Sequence, residues 1–237
     1  VNVYAKELKL TVSAADQAVG KSDQHFETEV AKLSAIADAG SLFITESTNI
    51  QVGTLSAINV YQVAVDGSAA EGTRTSDSAQ STLTSAGALV LVTTAGSIET
   101  LAVGGAVSAT GNMLLQAGGA TGDITLGATV TNTVNGGNTT INAGRDLLQN
   151  ANIVANTSGT TIDLLAGRAI TMGDSASTST TNGDILLYAG TGDITIETLS
   201  AGTADIGITA KLGSIIDRDA TADTEVDITA SGLILQA

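Results

Sequence analysis

The chain has 237 residues, of which 43% are hydrophobic, 14% are charged and only 2% are aromatic, and it contains no Cys, Pro or Trp. So many aliphatic residues can fill the core of one large all-β domain, which argues against disorder. The net charge of −15, with 9 scattered Lys and Arg, gives no basic patch for nucleic acid or anionic membranes, and no apolar run approaches the roughly 18 residues of a membrane span.

The first 86 residues are less regular than the rest. Short runs of alternating apolar residues predict strands that belong to successive coils of a repeat. They lie at 41–46 (SLFITE), 49–53 (NIQVG), 58–65 (INVYQVAV) and, beyond this part, 88–96 (ALVLVTTAG).

Residues 23–39 allow a different interpretation. Phe26, Val30, Leu33 and Ile36 recur at roughly helical spacing, and Gly40 could end a helix. A short helix is therefore an alternative to a strand in this segment. Further along, residues 67–85 are polar and poor in branched aliphatics, which predicts a long loop.

From residue 87 to 237 the chain repeats regularly. One phrase consists of alternating apolar residues followed by Ala and usually Gly, as in MLLQAG at 113–118 and ILLYAG at 185–190. Its Ala residues occupy positions 117, 143, 166, 189, 210 and 230, and Ala95 is expected to belong to the same series. A second short run follows most copies: DITL, DLL, AITM, DITI, SII and LILQ, starting at positions 123, 146, 169, 193, 214 and 233.

This period of about 20–26 residues, with two or three short strands in each copy, predicts a parallel β-solenoid of about ten coils. A single coil cannot bury its apolar side chains, but stacked coils pile aliphatic residues into a continuous column. A leucine-rich repeat would need a fixed Leu and Asn pattern, and an immunoglobulin-like array often shows Cys and Trp landmarks. Both patterns are missing from the sequence. The whole chain, 1–237, is expected to be one solenoid segment.

Phrases such as GNMLLQAGGATGDITLGATV and TTINAGRDLLQNANIVA are similar to the repeat regions of filamentous-haemagglutinin-like giant exoproteins of Gram-negative bacteria. The resemblance covers roughly residues 28–237. It implies a right-handed parallel β-helix that is exported and displayed at, or released from, the cell surface as an adhesin or filament. The amino-terminal secretion domain of such proteins is not found in this sequence, so both ends are expected to lie within a longer rod.

The sequence gives weak signals for a chemical site. His25 is the only histidine, and its neighbours Gln24 and Phe26 suggest a surface or loop residue. Sugar-cleaving β-helices need a carboxylate pair or basic residues, usually with aromatic surfaces, and aromatic residues are few here. The Thr-x-Thr segments at 129–131 and 178–180 do not recur at the coil period, which disfavours ice binding. No catalytic, cofactor or metal residue is assigned.

Two acidic patterns leave calcium as an alternative. The pairs Gly122-Asp123, Gly183-Asp184 and Gly192-Asp193 are better explained as turns, with Gly at positive φ and Asp accepting backbone N–H bonds. The stretch 217–227 (DRDATADTEVD) is expected to be a solvated loop, although it could bind a hard cation.

The sequence therefore predicts a structural or adhesive rod at the cell surface, not an enzyme. Possible partners are further copies stacked end to end, or a cell-surface or carbohydrate ligand. The alternatives are a carbohydrate-active β-helix and a calcium-stabilised surface repeat.

Overall fold

The computed structural model describes residues 1–14, 17–70, 77–133, 137–218 and 226–237. Within these ranges the regular structure is β-strand, with no helix. One parallel sheet winds through nearly the whole chain, and most strands pair with the strands one turn before and one turn after them. The chain is a parallel β-solenoid, as predicted, with about nine turns where the sequence suggested about ten.

Each regular turn contributes one strand to each of three faces, here called A, B and C. Face A contains β3 (Leu42–Glu46), β8 (Leu89–Thr93), β11 (Met113–Ala117), β14 (Thr139–Ala143), β17 (Ile162–Ala166), β20 (Ile185–Ala189), β23 (Asp205–Ala210) and β26 (Gly232–Gln236). Face B contains β4 (Ile50–Val52), β9 (Ile98–Thr100), β12 (Ile124–Leu126), β15 (Leu147–Gln149), β18 (Ile170–Met172), β21 (Ile194–Ile196) and β24 (Ile215–Asp217). Face C contains β7 (Leu83–Ser85), β10 (Val107–Ala109), β13 (Val130–Asn132), β16 (Ile153–Ala155), β19 (Ser177–Thr180), β22 (Thr198–Ser200) and β25 (Ile228–Thr229).

Alternation along each strand builds the core. In β17, Ile162, Leu164 and Ala166 point inward and are buried, while Asp163 and Leu165 point outward. The parallel register places each inward residue over the equivalent residue of the neighbouring turn, so aliphatic side chains form columns. One such column, fully buried from Ile44 to Ile208, runs Ile44, Leu91, Leu115, Ile141, Leu164, Leu187 and Ile208.

The register confirms part of the repeat deduced from sequence and corrects two members of it. Ala117, Ala143, Ala166, Ala189 and Ala210 stack on one another at the end of face A. Their partner in the preceding turn is Thr93, and not Ala95 as predicted.

The phrase VDITA was also assigned to this series wrongly, because Ile228 and Thr229 pair with face C. LILQ, which was predicted to be a second run, instead continues face A. The step from Thr209 to its partner Gln236 is 27 residues, against 21 residues in the turn before it. A constant period therefore assigned both phrases to the wrong face.

The predicted alternative of a helix at 23–39 is wrong. This segment forms β2 (Phe26–Ala37), and β1 (Val3–Val12) pairs with it in parallel from Val3 opposite Thr28 to Val12 opposite Ala37. β2 runs across all three faces, pairing in turn with β3, β4 and β7. The apolar spacing is compatible with a helix, but pairing with β1 on one side and with the next turn on the other requires an extended chain.

The interval 53–82, here called the arm, leaves the stack between faces B and C. β3 pairs directly with β8, so the chain between them can form only one turn of the stack. The residues beyond the length of one turn therefore lie outside the stack. The predicted coil strand at 58–65 is therefore wrong. This part of the arm contains β5 (Gln62–Val63), which pairs antiparallel with β6 (Ala69–Ala70). The insertion begins earlier than the predicted loop at 67–85, and it ends before β7.

Contacts with β1 hold the base of the arm against the stack. The Lys9 ammonium lies 2.6 Å from Asp77 Oδ1 and 2.7 Å from the Ser78 carbonyl oxygen. The Thr11 hydroxyl donates to Gln80 Oε1 at 2.8 Å. Residues 71–76, which belonged to the predicted loop, lie outside the described part of the chain.

Candidate functional site

A ladder of charged side chains follows the corner between faces A and B. Arg145 forms two hydrogen bonds with the Asp123 carboxylate of the preceding turn, one from Nε to Oδ1 at 2.8 Å. Arg168 repeats this arrangement one turn later, with its Nε 2.7 Å from Asp146 Oδ1. The hydrogen bond from Arg145 lowers the pKa of Asp123 against an opposing effect of burial. These pairs tie successive turns together.

The aspartates of the predicted Gly-Asp turns connect neighbouring turns as well. In each case Oδ1 accepts the backbone N–H of the residue at the same position one turn later. The bonds run from Asp146 N to Asp123 at 3.1 Å, from Asp205 N to Asp184 at 3.0 Å and from Ser214 N to Asp193 at 2.8 Å. This geometry agrees with the turn interpretation of these pairs.

The reason given for the glycines was wrong. Gly122, Gly183 and Gly192 do not have positive φ. A Cβ on Gly183 would lie 1.9 Å from the Thr160 carbonyl oxygen, and one on Gly122 would lie 2.4 Å from that of Gly118. Glycine is required at these two positions because backbone approaches too closely for a side chain.

Asparagines that directly precede strands of all three faces play the same part, which the sequence analysis missed. Their Oδ1 atoms accept backbone N–H groups from the next turn. The bonds link Asn49 to Ser97 N at 2.8 Å, and Asn112 to Asn138 N, Asn138 to Thr161 N and Asn152 to Ser177 N, each at 3.0 Å. The available signal was an Asn one or two residues before an inward aliphatic residue in several copies of the repeat.

His25 is half-buried beside face A. Its Nδ1 lies 2.8 Å from the Thr45 hydroxyl oxygen, and its ring centroid lies 5.9 Å from that of Phe43. These contacts hold the imidazole against the outer surface of β3, and no hydrogen bond joins it to a carboxylate of the described residues.

The acidic stretch 217–227 falls partly outside the described residues, because Asp219, Asp223 and Glu225 lie within 219–225. Its predicted loop and its possible cation site therefore stay predictions. Among the residues that are described, no group of three or more His, Cys, Asp or Glu side chains is placed to hold a metal ion.

The two Thr-x-Thr segments do not form matching outward rows. Thr131 points outward on face C and has Val154 as its partner in the next turn. Thr178 points inward, is fully buried and donates a hydrogen bond to Gln149 Oε1 at 3.0 Å.

Open concavities lie along the corner between faces A and B. One of about 510 Å³ is lined by Tyr4, Lys6, Glu29, Thr48 and Asn49, among others. Another, of about 490 Å³, lies next to the charged ladder and includes Thr125, Thr171 and Thr195. Both combine hydrogen-bonding groups with exposed apolar surface.

On face A, one carboxylate differs from those of the ladder. Asp163 points outward from β17, and its Oδ1 is buried without a hydrogen-bond partner among the described residues. Desolvation by burial raises the pKa of Asp163. The next residues along this outward column are Leu186, Gly207 and Ile234.

Fold and surface define the class of this protein as a parallel β-solenoid of three faces with outward-facing charged corners. No family model, curated protein or solved structure matches the chain. Within the described residues, no helix is long and apolar enough to cross a membrane.

Proposed function

We propose that the chain is a structural and adhesive rod segment of a large secreted or cell-surface bacterial protein, acting as a stiff spacer, adhesin or filament building block. The observation that carries this proposal is the unbroken stack of about nine turns. At a spacing of about 4.8 Å between neighbouring strands, these turns extend roughly 40 Å. Each internal turn is fixed by neighbours on both sides, so bending requires hydrogen bonds on several faces to stretch.

The resemblance to filamentous-haemagglutinin-like repeats supports export and surface display. The net charge of −15 also suits a surface rod, because like-charged rods repel one another and remain dispersed. This function requires no chemical step, cofactor or metal, and we assign none.

Surface display can be tested on the bacterium that makes the protein. Antibodies against the purified chain should label intact cells, or the medium should contain the protein. Protease added to intact cells should remove the label while a cytoplasmic marker survives. Label that appears only after the cells are permeabilised would overturn the surface location.

End-to-end association would extend the rod further. The outer edge of β26 leaves Leu233 and Leu235 about half exposed, although both continue inward columns of face A. A further coil or a second copy of the chain would bury them, and either would lengthen the stack. Unpaired strand edges promote such pairing.

Self-association can be measured by sedimentation velocity and negative-stain microscopy of the isolated chain. We expect concentration-dependent filaments that Leu235→Asp abolishes. Ile234→Asp is the matched control because Ile234 points outward on the same strand. Equal loss with both substitutions, or short rods at every concentration, would contradict stacking through the aliphatic columns.

An adhesive role also needs a surface that holds a ligand. The concavity beside Tyr4 joins an exposed aromatic ring to the ammonium, carboxylate and amide groups of Lys6, Glu29 and Asn49, a combination that suits a neutral carbohydrate. Tyr4→Ala should reduce binding on a glycan array and leave the melting temperature unchanged. Unchanged glycan binding would exclude this surface.

A further inference from the structure

The outward column of face A from Thr140 to Ile234 combines an acidic residue with exposed aliphatic residues. Its members pair in register as Thr140, Asp163, Leu186, Gly207 and Ile234. Leu186 is 45% exposed and Ile234 is 64% exposed. An acidic group thus stands at one end of an exposed aliphatic strip.

The first observation concerns Asp163. Asp123 and Asp146 have an Arg from the next turn, but Asp163 has no ion pair or hydrogen bond in the described part of the chain. A carboxylate that is partly desolvated without a donor is costly unless a cation or hydrogen-bond donor compensates it. Only Oδ1 is enclosed, so a cation from outside would approach Oδ2.

The second observation is a notch in the same column. Gly207 has no side chain, and Leu186 and Ile234 on either side leave a depression of about 460 Å³ between them. Asp184 and Asp205 also line this depression, and neither forms an ion pair in the described part of the chain. The notch therefore offers an aliphatic floor with an acidic border.

We propose that this part of face A binds a cationic, partly apolar peptide segment, with a Lys or Arg over Asp163 and an aliphatic side chain in the notch at Gly207. Charge complementarity selects this occupant, because Asp163, Asp184 and Asp205 border the strip and no basic residue is among the described residues that line the notch. Asp163 and Gly207 lie two strands apart, which is roughly 10 Å. Alternate side chains of an extended segment lie on one side roughly 7 Å apart. The flexible lysine side chain is long enough to span the difference between this spacing and the distance from Gly207 to Asp163.

This inference goes beyond the proposed rod function and does not depend on it, because the strip is present whether or not the protein is displayed on a surface. Two substitutions remove the two parts of the site, and their melting temperatures show whether the fold is kept. Asp163→Asn removes an uncompensated charge. Gly207→Val fills the notch, where an added Cβ would lie 3.1 Å from the Leu186 Cδ1 atom and would displace only the end of that side chain, and valine suits a strand.

The test uses a fluorescein-labelled peptide, Gly-Lys-Gly-Leu-Gly-Lys-Gly with blocked ends, in an anisotropy titration. We expect saturable binding that Asp163→Asn weakens about tenfold, the loss of one charge-assisted hydrogen bond. Gly207→Val should weaken binding by a similar factor. Asp174→Asn, an equal charge change at an exposed position off face A, and Thr209→Val, a valine added to the same strand outside the notch, should have little effect.

Each alternative outcome overturns the proposal. Equal weakening by Asp163→Asn and Asp174→Asn would show non-specific attraction to the net charge. A peptide with Ser in place of Leu that binds equally well, or an unaffected Gly207→Val variant, would exclude the notch. Spermidine that displaces the peptide with the same dependence on Asp163 and is insensitive to Gly207→Val would indicate a site for small cations. No binding at millimolar peptide would exclude the site altogether.

Discussion

The stacked turns from β11 to β23 and residues 58–65 of the arm both contain alternating aliphatic residues, but they differ in what surrounds them. In the stack, inward residues such as Leu164 and Leu187 are fully buried. In the arm, Val63 is 67% exposed and Ile58 is 59% exposed. The difference shows that alternating aliphatic residues create a core only where a turn above and a turn below repeat them in register.

The largest contrast should come from truncating one aliphatic residue in each region. Leu164→Ala leaves a cavity in a continuous column and should lower the free energy of unfolding by about 2–5 kcal/mol. Val63→Ala, its counterpart in the arm, should change it by less than about 0.5 kcal/mol. Chemical denaturation followed by circular dichroism measures both. Similar losses in the two variants would mean that the arm belongs to the cooperative core.

Two glycines test the same difference between the stack and the arm. A Cβ on Gly167 would lie 2.2 Å from the Gly144 carbonyl oxygen, whereas Gly67 has nothing within 4 Å and needs glycine only for its φ of +80°. Gly167→Ala should therefore destabilise the whole stack by about 1–3 kcal/mol. Gly67→Ala should disturb the turn in the arm locally and leave the global melting temperature unchanged. Equal shifts would contradict the separation of arm and stack.

The charged ladder should make a smaller contribution that depends on pH. Arg145 lowers the pKa of Asp123 in the folded state, so this pair stabilises the fold at neutral pH. The stabilisation is lost as pH falls through that lowered pKa. Arg145→Ala should lower the melting temperature by about 1–3 °C at pH 7, since the pair is partly exposed. Thermal melts that show the same deficit at strongly acid pH would argue against an ionic origin.

The smallest expected effect is an increase in the free energy of unfolding, where the other substitutions lower stability. Burial raises the pKa of Asp163, so its ionised form disfavours the fold above the carboxyl's ordinary pKa. Asp163→Asn should therefore raise the free energy of unfolding by about 0.5–1 kcal/mol at pH 7. The gain should vanish at acid pH, where both folded and unfolded states carry a protonated carboxyl. A variant less stable than the native chain at pH 7 would mean that Asp163 has a stabilising partner.

The candidate surfaces could be predicted only in part from the sequence. The Gly-Asp pairs were recognised as turns, because the residue types that reverse a chain act locally. Asp123 has an Arg partner, and Asp163 has none among the described residues, and this difference depends on which residues lie beside each carboxylate in the next turn. Asp163 occupies an outward position within β17, and the sequence offers no local sign that its oxygen is enclosed.

By itself, the sequence determined the class of fold. Short alternating runs, turn residues and a period in the low twenties admit one economical solution, in which aliphatic residues of successive turns stack, and those signals are carried within a few residues of each strand. Only the tertiary structure decided the phase of the last turn, the strand at β2, the expulsion of the arm and the close backbone approach at Gly183. Each of these depends on pairing between residues a full turn or more apart, which unequal turn lengths shift without altering any local pattern.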